Sequence, residues 1–304
     1  MSLATVKKKK PFFKKGDIGL VYISPWLIGF LIFSIYPMVA SLVYSFFDFD
    51  FMGRMRFVGF GNFVKMWKSV DFSLSTKATF IFVFFSVPAK LISAMLLAML
   101  LNVKLRFINL YRTLYYLPSI LTGSVAIGIL WRLMFTKQGL INNLLGLLGF
   151  SQANWLGNPN TAIYVLIMLP LWQVGSSMVI FLAALKQIPG YLFEAARIDG
   201  AGKMRQFVNI TLPAVSPIIL FNLIMQSINT FQEFSSSFII TGGGPAKSTY
   251  LYAMFIYNEA FKMLKMGYAS ALSWFLFGVI LVFTAVIFKT SAKWVFYGDG
   301  GDAL

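Results

Sequence analysis

Thr79-Phe-Ile-Phe-Val-Phe-Phe-Ser-Val-Pro-Ala-Lys-Leu-Ile-Ser-Ala-Met-Leu-Leu-Ala-Met-Leu-Leu101 carries a single charged side chain, Lys90. A hydrocarbon layer about 30 Å thick is crossed by roughly 20 residues of helix, so this stretch is long enough to span a membrane. Its apolar residues run on continuously rather than alternating, which favours helix. A lone strand there would leave backbone groups that lipid cannot satisfy. Five further stretches of the same kind, rich in Leu, Ile, Phe and Met, lie at Ile18 to Phe47, Leu114 to Phe135, Thr161 to Leu185, Pro213 to Ile240 and Gly267 to Phe288. The predicted fold class is therefore all-α, a polytopic membrane protein with about six transmembrane helices. Pro25, Pro37, Pro88, Pro118 and Pro170 fall inside or at the ends of these spans, where they should kink the helices and free carbonyls.

Composition agrees. Of 304 residues, 58% are hydrophobic and 12% charged, and the mean hydropathy is +0.76; a soluble surface needs about twice that charge. Without Cys there is no thiolate nucleophile, disulfide or sulfur metal site, and without His there is no imidazole base or His-bound metal. Neither a metal nor a cofactor is expected. The net charge of +16 does not point to nucleic acid, because the basic residues sit in short segments between apolar runs, where a membrane protein keeps its topology charges. The basic opening through Lys15 resembles the start of a signal peptide, but the apolar run that follows is too long for one and reads as an uncleaved first span.

Orientation follows from those charges. Segments on the side of the N-terminus hold Lys7 to Lys10, Lys14, Lys15, Lys104, Arg106, Arg112, Lys186, Arg197, Lys203, Arg205, Lys289 and Lys293, fifteen in all, against nine on the opposite side. Both termini are thus expected in the cytoplasm. The chain divides into a basic N-terminal segment (1–17), a transmembrane domain (18–288) and a short cytoplasmic tail (289–304). Turn chemistry concentrates in the long outer segments 48–77, 137–160 and 241–266. The sharpest turn signal is Thr241-Gly242-Gly243-Gly244-Pro245, which suits either a plain loop hinge or a docking or gating element. Neither a Walker A sequence, a dinucleotide fingerprint nor an internal repeat of about 20 to 50 residues is visible.

The inner segment between the fourth and fifth spans reads Lys186-Gln-Ile-Pro-Gly-Tyr-Leu-Phe-Glu-Ala-Ala-Arg-Ile-Asp-Gly-Ala-Gly-Lys-Met-Arg-Gln-Phe-Val-Asn-Ile-Thr-Leu-Pro213. Pro189 can open a short helix, Gly200 can close it in a left-handed conformation, and Tyr191, Ala195 and Ile198 share a face. A second short helix is expected to run to Ile210, with Pro213 starting the fifth span. The first helix suits a partner's groove. With Arg197, Lys203 and Arg205 beside it, it equally suits the lipid headgroup layer.

Glu194-Ala195-Ala196, Gly200, Ile210, Leu212 and Pro213 match every fixed position of the EAA motif, and the chain resembles the permease subunits of binding-protein-dependent ABC importers. Asp199-Gly200-Ala201 and the Leu212-Pro213 ending are similar to the carbohydrate group that includes maltose-type importers. Leu169-Pro170-Leu171-Trp172, the Gly242 to Pro245 turn and Gly267-Tyr268-Ala269-Ser270-Ala271 extend the likeness over nearly the whole chain. The resemblance implies that residues 186–212 form a coupling loop seated on a cytoplasmic ATPase. Glu194 would make the polar contact there, Ala195 and Ala196 would allow close approach, and Gly200 would set the angle between the two short helices. It also implies a second, related permease subunit, an ATPase dimer, an extracellular solute-binding protein, and a multi-pass location in a bacterial or archaeal plasma membrane. No ATPase sequence follows Phe288, so hydrolysis is expected on another chain and no catalytic residue on this one.

Polar residues inside spans face the bundle or a cavity. Asn222, Gln226, Asn229 and Glu233 are spaced for one face of the fifth span, and with Phe231, Phe234 and Trp172 they suit a sugar. The same stripe also suits interhelical hydrogen bonding. Lys90 needs a partner, either Glu233 or an acidic substrate. An ion-coupled secondary transporter using Lys90 and Glu233 is the alternative function. Its weakness is that such carriers have repeated halves and broken helices, neither of which the sequence displays. A membrane enzyme is disfavoured by the lack of paired carboxylates or metal-ligand spacing on the inner loops.

Overall fold

The computed structural model describes residues 15–50, 53, 55–103 and 106–297. Lys7 to Lys10, Lys14 and Lys104 of the inner charges, and Arg54 among the nine on the opposite side, lie outside the described residues, as do nearly all of the expected N-terminal segment and the end of the expected tail. Helix α1 comprises Lys15–Phe30, a π turn at Leu31–Ile35, and Tyr36–Tyr44. An antiparallel hairpin of β1 (Phe47–Phe49) and β2 (Met55–Phe57) follows, then the short helix α2 (Gly61–Lys68). Next come α3 (Val70–Leu100), α4 (Ile108–Ile120), α5 (Val125–Met134), α6 (Leu140–Leu147), α7 (Pro159–Trp172), α8 (Gly175–Gln187) and α9 (Gly190–Ile198). Helix α10 is continuous over Lys203–Phe231. A π turn at Ser237–Thr241, α11 (Tyr252–Tyr257) with a π turn at Asn258–Lys262, and α12 (Met266–Ser291) complete the chain.

Helix α3 is the central post, packed against α7, α8 and α10. Its Val83, Val87, Leu91 and Met95 mesh with Met178, Phe181, Leu182 and Leu185 of α8 in one buried cluster. Ala94 and Ala98, one turn apart and fully buried, let the helices approach closely, as small residues do where lipid supplies no hydrophobic drive. Phe84, Phe85, Leu96 and Leu100 turn the other way and are exposed. The helix starts at Val70, nine residues before the expected Thr79. Ser69 caps it by accepting from the Phe72 amide, and Asp71 sits in the first turn, where a carboxylate favours the helix dipole.

Four expected spans are corrected. The third is not one helix: α4 and α5 meet at 101° across Leu121–Ser124, where Gly123 adopts φ +79. The fourth is bent by 46° between α7 and α8, just after Pro170. By length and composition each bent pair is apolar enough to count as one span. At one end of the bundle Arg112 donates to the Leu101 carbonyl, while Lys77, Asn160 and Lys247 line one pocket at the other. The fifth span begins at Lys203 instead of Pro213 and ends at Phe231, short of Ile240. Pro213 continues the helix because a π turn at Phe207–Thr211 precedes it. The Leu212 amide reaches back to the Phe207 carbonyl, so the ladder is re-spaced just where proline has no N–H to give. The same device precedes Pro37, where Tyr36 N–H bonds to the Leu31 carbonyl. The first span likewise ends at Tyr44, before β1.

The loops at the end remote from α9 are tied together. Asn62 Nδ2 donates to the Ser45 and Phe47 carbonyls at 2.9 Å each. Asp50 forms an antiparallel bridge with Lys265, and Lys247 pairs with Asp71. Asn142, fully buried, gathers the 136–155 loop by donating to the Ala153 carbonyl (2.8 Å) and accepting from Trp155 Nε1 (2.9 Å).

Candidate functional site

The loop carrying the EAA residues folds as its glycine spacing dictates. Pro189 precedes α9, Asp199 ends it, and Gly200 adopts φ +76. The Ala201 amide bonds to the Ala196 carbonyl at 2.8 Å and the Gly200 amide to that of Arg197 at 3.1 Å, the paired closure of a Schellman motif. Gln206 Nε2 then donates to the Ala201 carbonyl at 2.7 Å, fixing the corner between α9 and α10. None of the α9 side chains is buried. Ile198 is 87% exposed and Tyr191 67%, an apolar surface that nothing among the described residues covers. The expected second short helix is simply the start of α10. A rise of about 1.5 Å per residue makes α10 roughly 43 Å long, so one rigid rod joins the α9 corner to the far side of the bundle.

Near the other end of that rod, three helix breaks converge on one cleft of about 80 Å³. Thr122 and Ser124 come from the α4–α5 break, Gln173 from the α7–α8 break, and Glu233 and Ser236 from the segment after α10. Glu233 Oε1 accepts from the Ser236 amide at 2.8 Å. The Ser236 hydroxyl is buried without a hydrogen-bond partner among the described residues, and Gln173 is 6% exposed. Irregular backbone at membrane depth is tolerated where it lines a cavity or is buried in protein. A carboxylate, an amide and hydroxyls around such a cavity form a donor and acceptor set suited to a hydroxyl-rich solute.

The expected polar stripe divides. Asn222 is buried and donates to the Ile218 carbonyl at 3.1 Å; Gln226 donates to Ser177 Oγ of α8 at 3.2 Å; Asn229 is exposed. Glu233 lies past the end of α10, so it does not continue that face, a correction that follows from the helix stopping at Phe231. Phe231 is also corrected as a stacking surface. It is 1% exposed, wedged between the rings of Phe80 and Phe283. Trp172, 42% exposed at the α7 break, lies 5.9 Å from Trp131 and keeps open ring surface. Lys90 forms no ion pair or hydrogen bond among the described residues; Glu233 is within electrostatic reach but not in contact. Gly242 and Gly243 adopt φ +61 and +84, and Gly244-Pro245 is cis. Thr249 Oγ1 donates to the Gly244 carbonyl at 2.7 Å, so this turn is a folded corner. Sequence reasoning missed Gln173, Thr122, Ser124 and Ser236. Their signal was a polar residue just after a proline-bearing apolar run.

Residues 78–296 match the family described as binding-protein-dependent transport system inner membrane component. The chain is 43% identical over 296 residues to the probable ABC transporter permease protein YesP of Bacillus subtilis (strain 168), covering 96% of each. It is 31% identical over 294 residues to the arabinooligosaccharides transport system permease protein AraP of the same organism, covering 95% of this chain and 92% of that one. A chain from the crystal structure of a bacterial alginate ABC transporter, in complex with an alginate pentasaccharide-bound periplasmic protein, matches with a TM-score of 0.80 at 23% identity. That match covers 92% of this chain and 95% of the other and establishes the fold. With the EAA residues on an exposed helix joined to a broken-helix bundle, this chain belongs to the inner-membrane permease family of binding-protein-dependent ABC transport systems.

Proposed function

We propose that this chain forms half of the translocation pathway of an ATP-driven importer for a sugar or oligosaccharide. In this reading it holds no catalytic residue; hydrolysis belongs to a separate cytoplasmic ATPase dimer, gripped by Glu194 to Gly200. The observation that carries the reading is α9: a helix with no buried side chain, closed by Gly200 and fixed through Gln206 to the rod of α10. Closure of an ATPase dimer would move such a corner as a rigid body and shift the helix breaks at the far end. The substrate reading draws on AraP, whose name specifies arabinooligosaccharides, and on the polar cleft of Gln173, Glu233 and Ser236 with Trp172 beside it. A second permease subunit is supported by the membrane-spanning part of α1, none of which is buried within this chain. An extracellular solute-binding protein would deliver substrate to the end carrying Gly242 to Pro245, with both termini in the cytoplasm. The broken helices are a feature shared with ion-coupled carriers, but no repeated halves accompany them among the described residues, and family membership favours the ATP-driven reading.

The test is Gly200→Val in the complex reconstituted with its ATPase and binding protein. The variant is expected to insert normally while ATP-driven uptake falls at least about tenfold, since a non-glycine residue in the left-handed region strains the corner. Unchanged uptake at unchanged ATP turnover would contradict the coupling role.

A further inference from the structure

At the end of the bundle remote from α9, Lys65 and Lys68 of α2, Lys265, Glu259 and Tyr268 line an open pocket of about 570 Å³. Three ammonium groups and the Glu259 carboxylate line it, with Asp50 bridged through its backbone to Lys265 and Asp71 near Tyr268. Lys265 lies 3.6 Å from Glu259, Lys65 sits 4.8 Å over the Tyr268 ring, and Lys68 has no ion pair or hydrogen bond among the described residues. The Tyr268 hydroxyl, buried beside Ser69, has no well-formed hydrogen bond. Trp67, between the two α2 lysines in sequence and 66% exposed, packs edge-on against Phe275 of α12 at 5.6 Å. Phe275 begins a second hollow of about 580 Å³, almost wholly apolar, which continues past Val279 and Val282 to Val286 with Phe80 on its other wall. Tyr268, Phe275, Val279, Val282 and Val286 follow at spacings of seven, four, three and four, so pocket and groove share one face of α12. From Phe275 to Val286 the helix rises about 16 Å, close to one leaflet of a hydrocarbon layer about 30 Å thick.

We infer that this face of α12 binds an anionic phospholipid, its phosphate among Lys65, Lys68 and Lys265 and one acyl chain in the groove from Phe275 to Val286. Charge excess at the head, an exposed tryptophan at the seam and an apolar channel one leaflet deep are joined in the order that a phospholipid presents its parts. A neighbouring apolar helix would fill the groove but leave Lys68 without a counter-charge, so the lipid is the better fit.

The experiment uses the full-length chain in its purified complex, with long-chain phosphatidylglycerol, phosphatidylcholine and soluble glycerophosphoglycerol as probes and native mass spectrometry as the readout. Phosphatidylglycerol is expected to be retained in preference to phosphatidylcholine, and the soluble headgroup should not displace it. Each basic side chain at a lipid surface strengthens binding about fivefold, so Lys65→Gln, Lys68→Gln and Lys265→Gln together should weaken retention about a hundredfold. A photo-crosslinker at Val282 should label lipid, and Val282→Trp should expel the lipid without changing how the complex assembles. Should the triple variant fail to fold, the crosslinker and Val282→Trp decide alone. Equal retention of the two lipids, displacement by the headgroup, or a crosslink to a neighbouring subunit's helix in place of lipid would each overturn the assignment.

Discussion

At Gly200 the backbone asks for glycine and the packing does not. Its φ of +76 lies in the left-handed region, yet a Cβ there would meet nothing within 4 Å. Gly267 is the reverse case, because an added Cβ would fall 1.9 Å from the Phe47 carbonyl oxygen, a backbone atom that cannot swing aside. Gly200→Ala should therefore cost only about 1 kcal/mol. Gly267→Ala has to push the hairpin off α12 and should cost about 1–3 kcal/mol, as overpacking does. Thermal unfolding of the two variants side by side checks the order. Lys90, with no partner in contact, is a residue whose role uptake can decide. If it recognises an acidic substrate, Lys90→Met should lower uptake of acidic oligosaccharides at least about tenfold while leaving neutral ones unchanged, since a buried charge pair is worth more than a surface one. Loss of folded protein would instead mark Lys90 as structural. The EAA residues were legible in the sequence because a helix with an opening proline and a closing glycine is a local matter. The burial of Phe231 was not legible, since it depends on Phe80 and Phe283, far away in the chain.

At the scale of the element, what decides the site is where helices stop. Hydropathy registers the length of an apolar run and is insensitive to its direction, so Leu114 to Phe135 read as one span although it bends through 101°. Pro118 and Gly123 were the visible clues, and Gln173 after Pro170 the second. The break after Phe231 likewise removes Glu233 from the stripe of Asn222 and Gln226 and hands it to the cleft. Gln226 is then a helix-to-helix tie through Ser177, and Gln226→Leu should lower stability by about 0.6 kcal/mol with little effect on transport. Gln173→Leu and Glu233→Gln should do the opposite, reducing solute uptake several-fold with unfolding little changed. Reversal of that pattern in paired uptake and unfolding measurements would move the solute path to the α10 stripe. The small hairpin, too, was invisible to an all-α reading: its strands are three residues each, and their pairing depends on Asn62 and on the Asp50 bridge to Lys265.

Across the whole molecule, the α9 corner and the cleft lie towards opposite ends of the α10 rod, and the π turn before Pro213 lets that rod run unbroken from Lys203 to Phe231. On the proposed reading, a permease arranged this way conducts only when a separate ATPase moves the corner. Proteoliposomes holding the chain with its partner permease test this most directly, with and without the ATPase, solute-binding protein and ATP. Accumulation of solute above the external concentration is expected only when all are present, and Gly200→Val should abolish it. Accumulation by vesicles that lack the ATPase, or undiminished ATP-driven accumulation by the Gly200→Val complex, would contradict the account.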